Sequence, residues 1–239
     1  FVNCVFHSVF IGIKNGVAIF INCTFSRQQK QLASIEQKGK LYMEECIVNG
    51  TDYLGIAVVK QSAVEIVKSK FTGFTKSILL GNNSSIRMHE STFGTDSDVA
   101  FAIRSNCCLD VHDCSISKQI QLIKSKFVAV NSQMESILSV RSSGSINDSN
   151  LASVVRLLEE SSFLLEKIVF GESEYKVVVE SHSKCLISNS YFGCYNQSIL
   201  CHEGTVVCRN TKFLDGGIRA ITSDNDSNVW LEKDRKSVV

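Results

Sequence analysis

Two groups of side chains in this 239-residue chain have types and spacing that could support chemistry. The first is a set of four carboxylates, Asp96 and Asp98 followed by Asp110 and Asp113. Carboxylates brought together in such numbers can hold a hard cation, or divide into an acid and a base for glycoside chemistry. The second is the pair His89 and His112. Two imidazoles on one surface can bind a transition metal or respond to pH. A metal needs a third ligand, however, and the expected register puts Val67 between Glu44 and His89. Phosphate-cradling glycine loops, Walker-type runs and Ser/His/Asp signatures are absent. So is any CxxC pair among the ten cysteines, which removes zinc-ribbon and thioredoxin-like chemistry.

The elements that must position these groups come from a repeat. A large apolar residue recurs at Phe6, Phe25, Val48, Phe71, Phe93, Ile116, Met134, Leu151, Phe170, Phe192 and Phe213, mostly 21 to 23 residues apart and in places 17 to 19. Two positions earlier stands a small residue: Cys4, Cys23, Cys46, Ser69, Ser91, Cys114, Ser132, Ser149, Ser190 or Thr211, with Ile168 as the exception. Five and seven positions earlier stand apolar residues, such as Met43 with Leu41 and Ile66 with Val64. Alternation of period two on both sides of one extra residue describes two short strands joined by a bend. A further alternating run, as in Val99, Phe101 and Ile103, supplies a third strand, and polar clusters such as 82–85 and 142–144 close each copy. The shorter steps read as tighter turns.

One such copy cannot bury an apolar face, whereas stacked copies align like residues into a continuous core. The expected fold is therefore all-β, a right-handed parallel β-helix of about ten or eleven coils with three short strands each, with coils about 4.8 Å apart in a stack roughly 50 Å long. The strict six-residue period of a left-handed helix is missing, as is a leucine-rich pattern. The domain reading is one β-helix over 1–232 and an exit segment at 233–239. The chain opens at Phe1 inside a repeat, so it is expected to be a piece of a longer polypeptide. In this frame Glu45, Lys68, Glu90 and Asp113 form an outward ladder of mixed charge, better read as solvated than catalytic. His89 and His112 stack outward on neighbouring coils. Ile47, Val67, Val169 and Tyr191 are outward apolar positions suited to lateral packing, and Trp230 is a terminal packing residue.

Cys4, Cys23, Cys46 and Cys114 share the small inward column, and Cys185 and Cys208 are read as sharing a second. They are expected as buried thiols, because parallel Cβ vectors suit disulfide geometry poorly. That favours a reducing compartment. Seven Asn-x-Ser/Thr matches, at Asn22, Asn49, Asn82, Asn83, Asn147, Asn196 and Asn225, are expected by chance in a chain so rich in Ser and Asn. Lys plus Arg number 25 against 24 Asp plus Glu, giving a net charge of +1, so no bulk field selects nucleic acid or an anionic membrane. No apolar run approaches the roughly 20 residues that span a bilayer.

The repeat block resembles that of the pectin-lyase-like superfamily over about residues 1–232. Segments 62–73, 77–87 and 199–209 further resemble the adenoviral β-helix group, the large early-region 1B protein and its capsid relative in atadenoviruses. Enzymes of the superfamily carry runs such as AsnThrAsp, AspAsp, GlyHisGly and ArgIleLys, all absent here. The viral resemblance implies a non-enzymatic capsid or surface protein, assembling laterally as a homotrimer and contacting other proteins, in the virion or the host nucleus or cytoplasm. No catalytic, cofactor or metal residues are assigned, no cofactor is expected, and neither nucleic acid nor membrane is a partner. The alternatives are a carbohydrate-active or polysaccharide-binding β-helix, secreted or otherwise, and a cellular protein-interaction scaffold.

Overall fold

A computed structural model describes residues 1–26, 31–50, 55–74, 78–171, 175–193, 197–213 and 219–232. Cys194, Asn196 and the exit segment 233–239 lie outside the described residues. Every described element is a strand, and every strand pairing is parallel. The chain divides into two compact units, Phe1–Gln121 and Leu122–Val239.

In the first unit each coil contributes three strands. One carries the large residue, as in Thr24–Ser26 and Lys70–Phe74. The next is the alternating run, as in Ala33–Glu36 and Val99–Arg104. The third is always five residues long: Val17–Ile21, Lys40–Glu44, Ala63–Val67, Ser85–His89 and Cys108–His112. These third strands pair one residue over the next with no offset, Ile19 over Tyr42, Tyr42 over Glu65, Glu65 over Arg87 and Arg87 over Asp110. The second unit repeats this long ladder in Lys126–Val130, Ser143–Asn147, Ser162–Glu166, Lys184–Ser188, Thr205–Arg209 and Asn228–Glu232.

The column of large residues is in register wherever its pairings are described: Phe6 over Phe25, Phe25 over Val48, Val48 over Phe71, Phe71 over Phe93, Phe93 over Ile116, then Met134 over Leu151 through to Phe192 over Phe213. Three neighbouring phenylalanine pairs of the column stack, at 4.9 Å between the Phe6 and Phe25 centroids, 4.3 Å between Phe170 and Phe192 and 4.9 Å between Phe192 and Phe213, whereas the Phe71 and Phe93 rings are tilted by 32° at 6.0 Å. Each fully buried ring contributes on the order of 2–3 kcal/mol.

The bend before the small residue is a left-handed residue in every coil: Asn3, Asn22, Glu45, Lys68, Glu90, Asp113, Asn131, Asp148, Lys167, Asn189 and Asn210 all have φ between 46° and 55°. That conformation points the next side chain inward. Room there is limited, and the residue must also satisfy backbone. Ser69 meets both demands: its Oγ donates to the Val67 carbonyl at 2.7 Å and accepts the Cys46 N–H of the preceding coil at 3.0 Å. Cysteine makes the same donation, from Cys46 Sγ to the Glu44 carbonyl at 3.3 Å and from Cys114 Sγ to the His112 carbonyl at 3.0 Å. This is why serine and cysteine interchange in the column. Ile168 lacks the donor, yet its N–H still bonds Ser190 Oγ at 3.0 Å.

A second hydroxyl ladder, unread in the sequence, runs where the alternating run turns into the long strand. Ser125 N–H donates to Ser142 Oγ at 3.0 Å, Ser142 N–H to Ser161 Oγ at 3.3 Å, and Ser161 N–H to Ser183 Oγ at 3.1 Å. The same device in the first unit joins Ser62, Ser84 and Cys107. It follows paired left-handed residues such as Lys60 with Gln61 and Asn82 with Asn83.

Three expectations need correction. The shorter steps are not all tighter turns: from Ile116 to Met134 and from Met134 to Leu151 the first two strands of the coil fuse into single strands, Ser115–Ile123 and Gln133–Val140, whereas from Leu151 to Phe170 the strands Asn150–Leu151 and Val155–Leu158 stay separate across a short turn, as expected. Cys185 and Cys208 do not share a column, since Cys185 pairs with Val206 and Cys208 with Ile187. Trp230 does not pack at the terminus: it is the middle residue of its strand, points outward over Val207, and is 60% exposed. The thiol expectation holds for the nine described cysteines, none of which forms a disulfide. Cys23, Cys46, Cys107, Cys114, Cys185, Cys201 and Cys208 are buried, and Cys4 and Cys108 partly so.

Two predictions follow from this interior. Phe71 is fully buried between Val48 and Phe93, so Phe71→Asp places a charge in the column with no partner, a cost of several kcal/mol. The variant should lose the cooperative unfolding transition seen by circular dichroism, and a stably folded variant contradicts the register. Burial also pushes the thiols up: Cys114 to about 11 and Cys185 well above its ordinary 9.0. Unfolded thiols ionise at lower pH than these folded ones, so this contribution is intact below about pH 8.5 and declines as pH rises toward about 11. Denaturant midpoints measured across that range should fall, and Cys114→Ala should fall less steeply than the parent.

Candidate functional site

Because the long-ladder strands alternate strictly, their first, third and fifth residues form three outward columns. In the first unit the third-residue column reads Ile19, Tyr42, Glu65, Arg87, Asp110, and the fifth-residue column Ile21, Glu44, Val67, His89, His112. His89 and His112 are thus stacked as expected, with ring centroids 6.4 Å apart, and Val67 separates them from Glu44.

The acidic residues are not gathered into one site. Asp110 is the middle residue of the long strand Cys108–His112 and Asp113 follows its end, while Asp96 and Asp98 sit in the turn between Thr92–Thr95 and Val99–Arg104. Asp110 is engaged by Arg87 Nε at 3.4 Å and by His112 Nε2 at 2.8 Å. Asp113 lies 3.4 Å from His89 Nε2, and His89 Nδ1 lies 3.2 Å from Glu90. Tyr42 Oη donates to Glu44 at 3.0 Å, and desolvation, helped by that bond, raises the phenol above its ordinary 10.0. Among the described residues no three of His, Cys, Asp and Glu converge as a metal site requires. The face is a mesh of partly exposed ion pairs, each worth little individually. A shallow trough of about 380 Å³ runs along it beside Tyr42, Glu65 and Arg87.

The second unit carries a different surface in the same column. Its third residues are Val128, Ser145, Leu164, Leu186, Val207 and Trp230, apolar in all but one strand. Leu164 and Trp230 are exposed, and Val128, Leu186 and Val207 half-buried. The first-residue column beside them is Lys126, Ser143, Ser162, Lys184, Thr205 and Asn228, and the fifth-residue column Val130, Asn147, Glu166, Ser188, Arg209 and Glu232.

Among the described residues, the lack of any helix or antiparallel pairing and the three parallel ladders stacked in register leave one class of fold. The model of the right-handed β-helix region matches residues 8–133, just over half the chain. The chain belongs to the right-handed β-helix family. No curated protein and no solved structure matches it. β-Helix folds carry many activities, so membership specifies scaffold and leaves function to the exposed columns.

The outward positions picked from sequence are outward here, but they do not form a row. Ile47, 46% exposed, lies between Thr24 and Lys70; Val67 lies between Glu44 and His89. Val169 pairs with Tyr191, and Lys212 follows. The apolar stripe of the second unit was missed, although its signal was present. It occupies the slot six before each large residue, where the repeat ordinarily has a polar side chain and here has Val128, Leu164, Leu186 and Val207. Lys176 was also missed: it is fully buried, and its Nζ donates to the Gly171 carbonyl. Two Asn-x-Ser matches have a structural origin, since Ser84 and Ser149, which complete those at Asn82 and Asn147, are buried ladder residues.

Proposed function

We propose that this β-helix is a non-catalytic interaction protein that presents columns of side chains on its long ladders to protein partners. The observation that carries the reading is the apolar stripe Val128, Leu164, Leu186, Val207, Trp230 on an outward sheet face. Contiguous exposed apolar surface rimmed by polar residues marks interaction sites on soluble proteins. The resemblance to the adenoviral β-helix group supports a virion-associated capsid or surface role as the concrete form of this function.

The trough of the first unit favours a second reading, polysaccharide binding, because Tyr42 and Arg87 there offer a ring and a cation to a sugar chain. Incubation with neutral and acidic polysaccharides separates the two. The interaction reading predicts neither retention of any polysaccharide nor release of new chain ends. It also predicts that replacing Asp96, Asp98, Asp110 and Asp113 together with alanine leaves every binding signal unchanged. Chain cleavage that disappears in the quadruple variant, with its circular dichroism preserved, would establish an enzyme instead.

A further inference from the structure

The stripe of the second unit has an asymmetric border, and the asymmetry points to what covers it. Lys126 and Lys184 stand on one side, both exposed and, among the described residues, in no ion pair. Glu166 stands on the other side, two columns away, and among the described residues its carboxylate is held by a 3.4 Å bond from Asn189 Nδ2. Glu232, on the same side, is paired with Arg209 at 2.9 Å. The face therefore carries a basic edge, an apolar centre and an edge with an acidic group, all at one repeat of about 4.8 Å.

We propose that this face pairs with the same face of a second copy of this chain, about a two-fold axis lying in the interface and parallel to the direction in which the coils stack. The inference rests on the interaction reading above and names its partner. Such an axis lays each coil against the same coil of the other copy and exchanges left for right. The basic column of one copy then lies over the acid-bearing column of the other. Lys184 faces Ser188 of the partner subunit, with the partner's Glu166 one coil away, about 4.8 Å along the stack and within reach of a lysine side chain. The contact occurs twice by symmetry. Leu164, Leu186 and Val207 meet their own counterparts across the centre. A two-fold axis along the strands would instead set the lysine column against itself, and like charges opposed across an interface are strongly unfavourable.

The repeat argues for a copy over an unrelated partner. Side chains recurring every 4.8 Å along three parallel columns are matched by a surface with the same spacing, which another stack of parallel coils provides. Near one end the face dips: Ser145 is small, and the backbone at Gly144 lies so close to the Phe163 ring that a Cβ there would come within 2.5 Å of it. The apolar contact is thereby concentrated on Leu164, Leu186, Val207 and Trp230. Six strands at about 4.8 Å and five residues at about 3.4 Å make a patch of a few hundred Å², at the small end of specific interfaces. The pair should therefore be weak, with a Kd on the order of 10 μM.

Sedimentation velocity of the chain from about 1 to about 200 μM tests this, since the range brackets that Kd. The expected result is a monomer–dimer equilibrium. Leu186→Lys should raise its midpoint at least about tenfold with an unchanged circular dichroism spectrum. Lys184→Glu and Glu166→Lys should each weaken pairing by about three- to tenfold, and the two together should restore it. Because both charged positions are surface residues of strands, these swaps keep the test sound even if Leu186→Lys misfolds. A monomer at every concentration, a trimer, a dimer indifferent to Leu186→Lys, or a double swap that fails to restore pairing would each overturn the proposal. A monomer that also cleaves no polysaccharide removes the self-pairing and leaves the interaction reading standing.

Discussion

In each ladder a residue sits over its counterpart in the next coil, about 4.8 Å away and pointing the same way. Nothing in the remaining architecture is independent of that register. It turns a chemical choice made once per repeat into a column, so that an inward large residue becomes a stack of rings and an outward leucine becomes a stripe. It also creates the main liability of the fold. Backbone at the coil corners must find partners in neighbouring coils, and like groups, charged ones included, are forced together.

The corners meet that demand with one economical device. A left-handed residue turns the chain, and the next side chain, except at Ile168, is small and carries a hydroxyl or thiol, which closes onto a carbonyl two residues back as at Ser69 and Cys114. Where that side chain is serine it also accepts an N–H from the coil before, and the ladder becomes continuous, as from Cys46 through Ser69 to Ser91. Left-handed geometry in a residue other than glycine is mildly strained. Asparagine tolerates it best, and here Asn22 bonds Asn3 and Asn210 bonds Asn189, each at 2.8 Å. Lysine and the carboxylates occupy the same corner elsewhere, pairing across coils as Lys167 does with Asp148 at 3.4 Å.

The inward half of this plan was legible in the sequence because it is periodic and chemically uniform. The eleven large positions and the small positions before them were read directly, and the described pairings place them over one another. What escaped reading was whatever the repeat does not spell. The fused strands Ser115–Ile123 and Gln133–Val140 leave no turn residues to notice, and only the shortened steps betray them. The serines at 125, 142, 161 and 183 sit outside the template and look like ordinary turn composition until their hydroxyls are seen in line. Trp230 reads as a terminal packing residue from its place near the end of the last strand, although the alternation of that strand already turns it outward. The stripe that contains it was hidden because apolar residues in a β-helix are presumed internal. The candidate acid cluster failed in the opposite way: Asp96 and Asp98 are near Asp110 in sequence but belong to a different corner of the coil.

The coil-to-coil register is held by the corner side chains as well as by the strands. Native-state hydrogen exchange at the amides of Cys46, Ser69, Ser132, Ser142 and Ser161, each donating to a serine Oγ of the following coil, measures this directly. Buried amides bonded in this way should exchange only through global opening, so within each unit their opening free energies should converge on its unfolding free energy. Exchange at these corners that is fast or scattered, while the strand amides beside them stay protected, would contradict it.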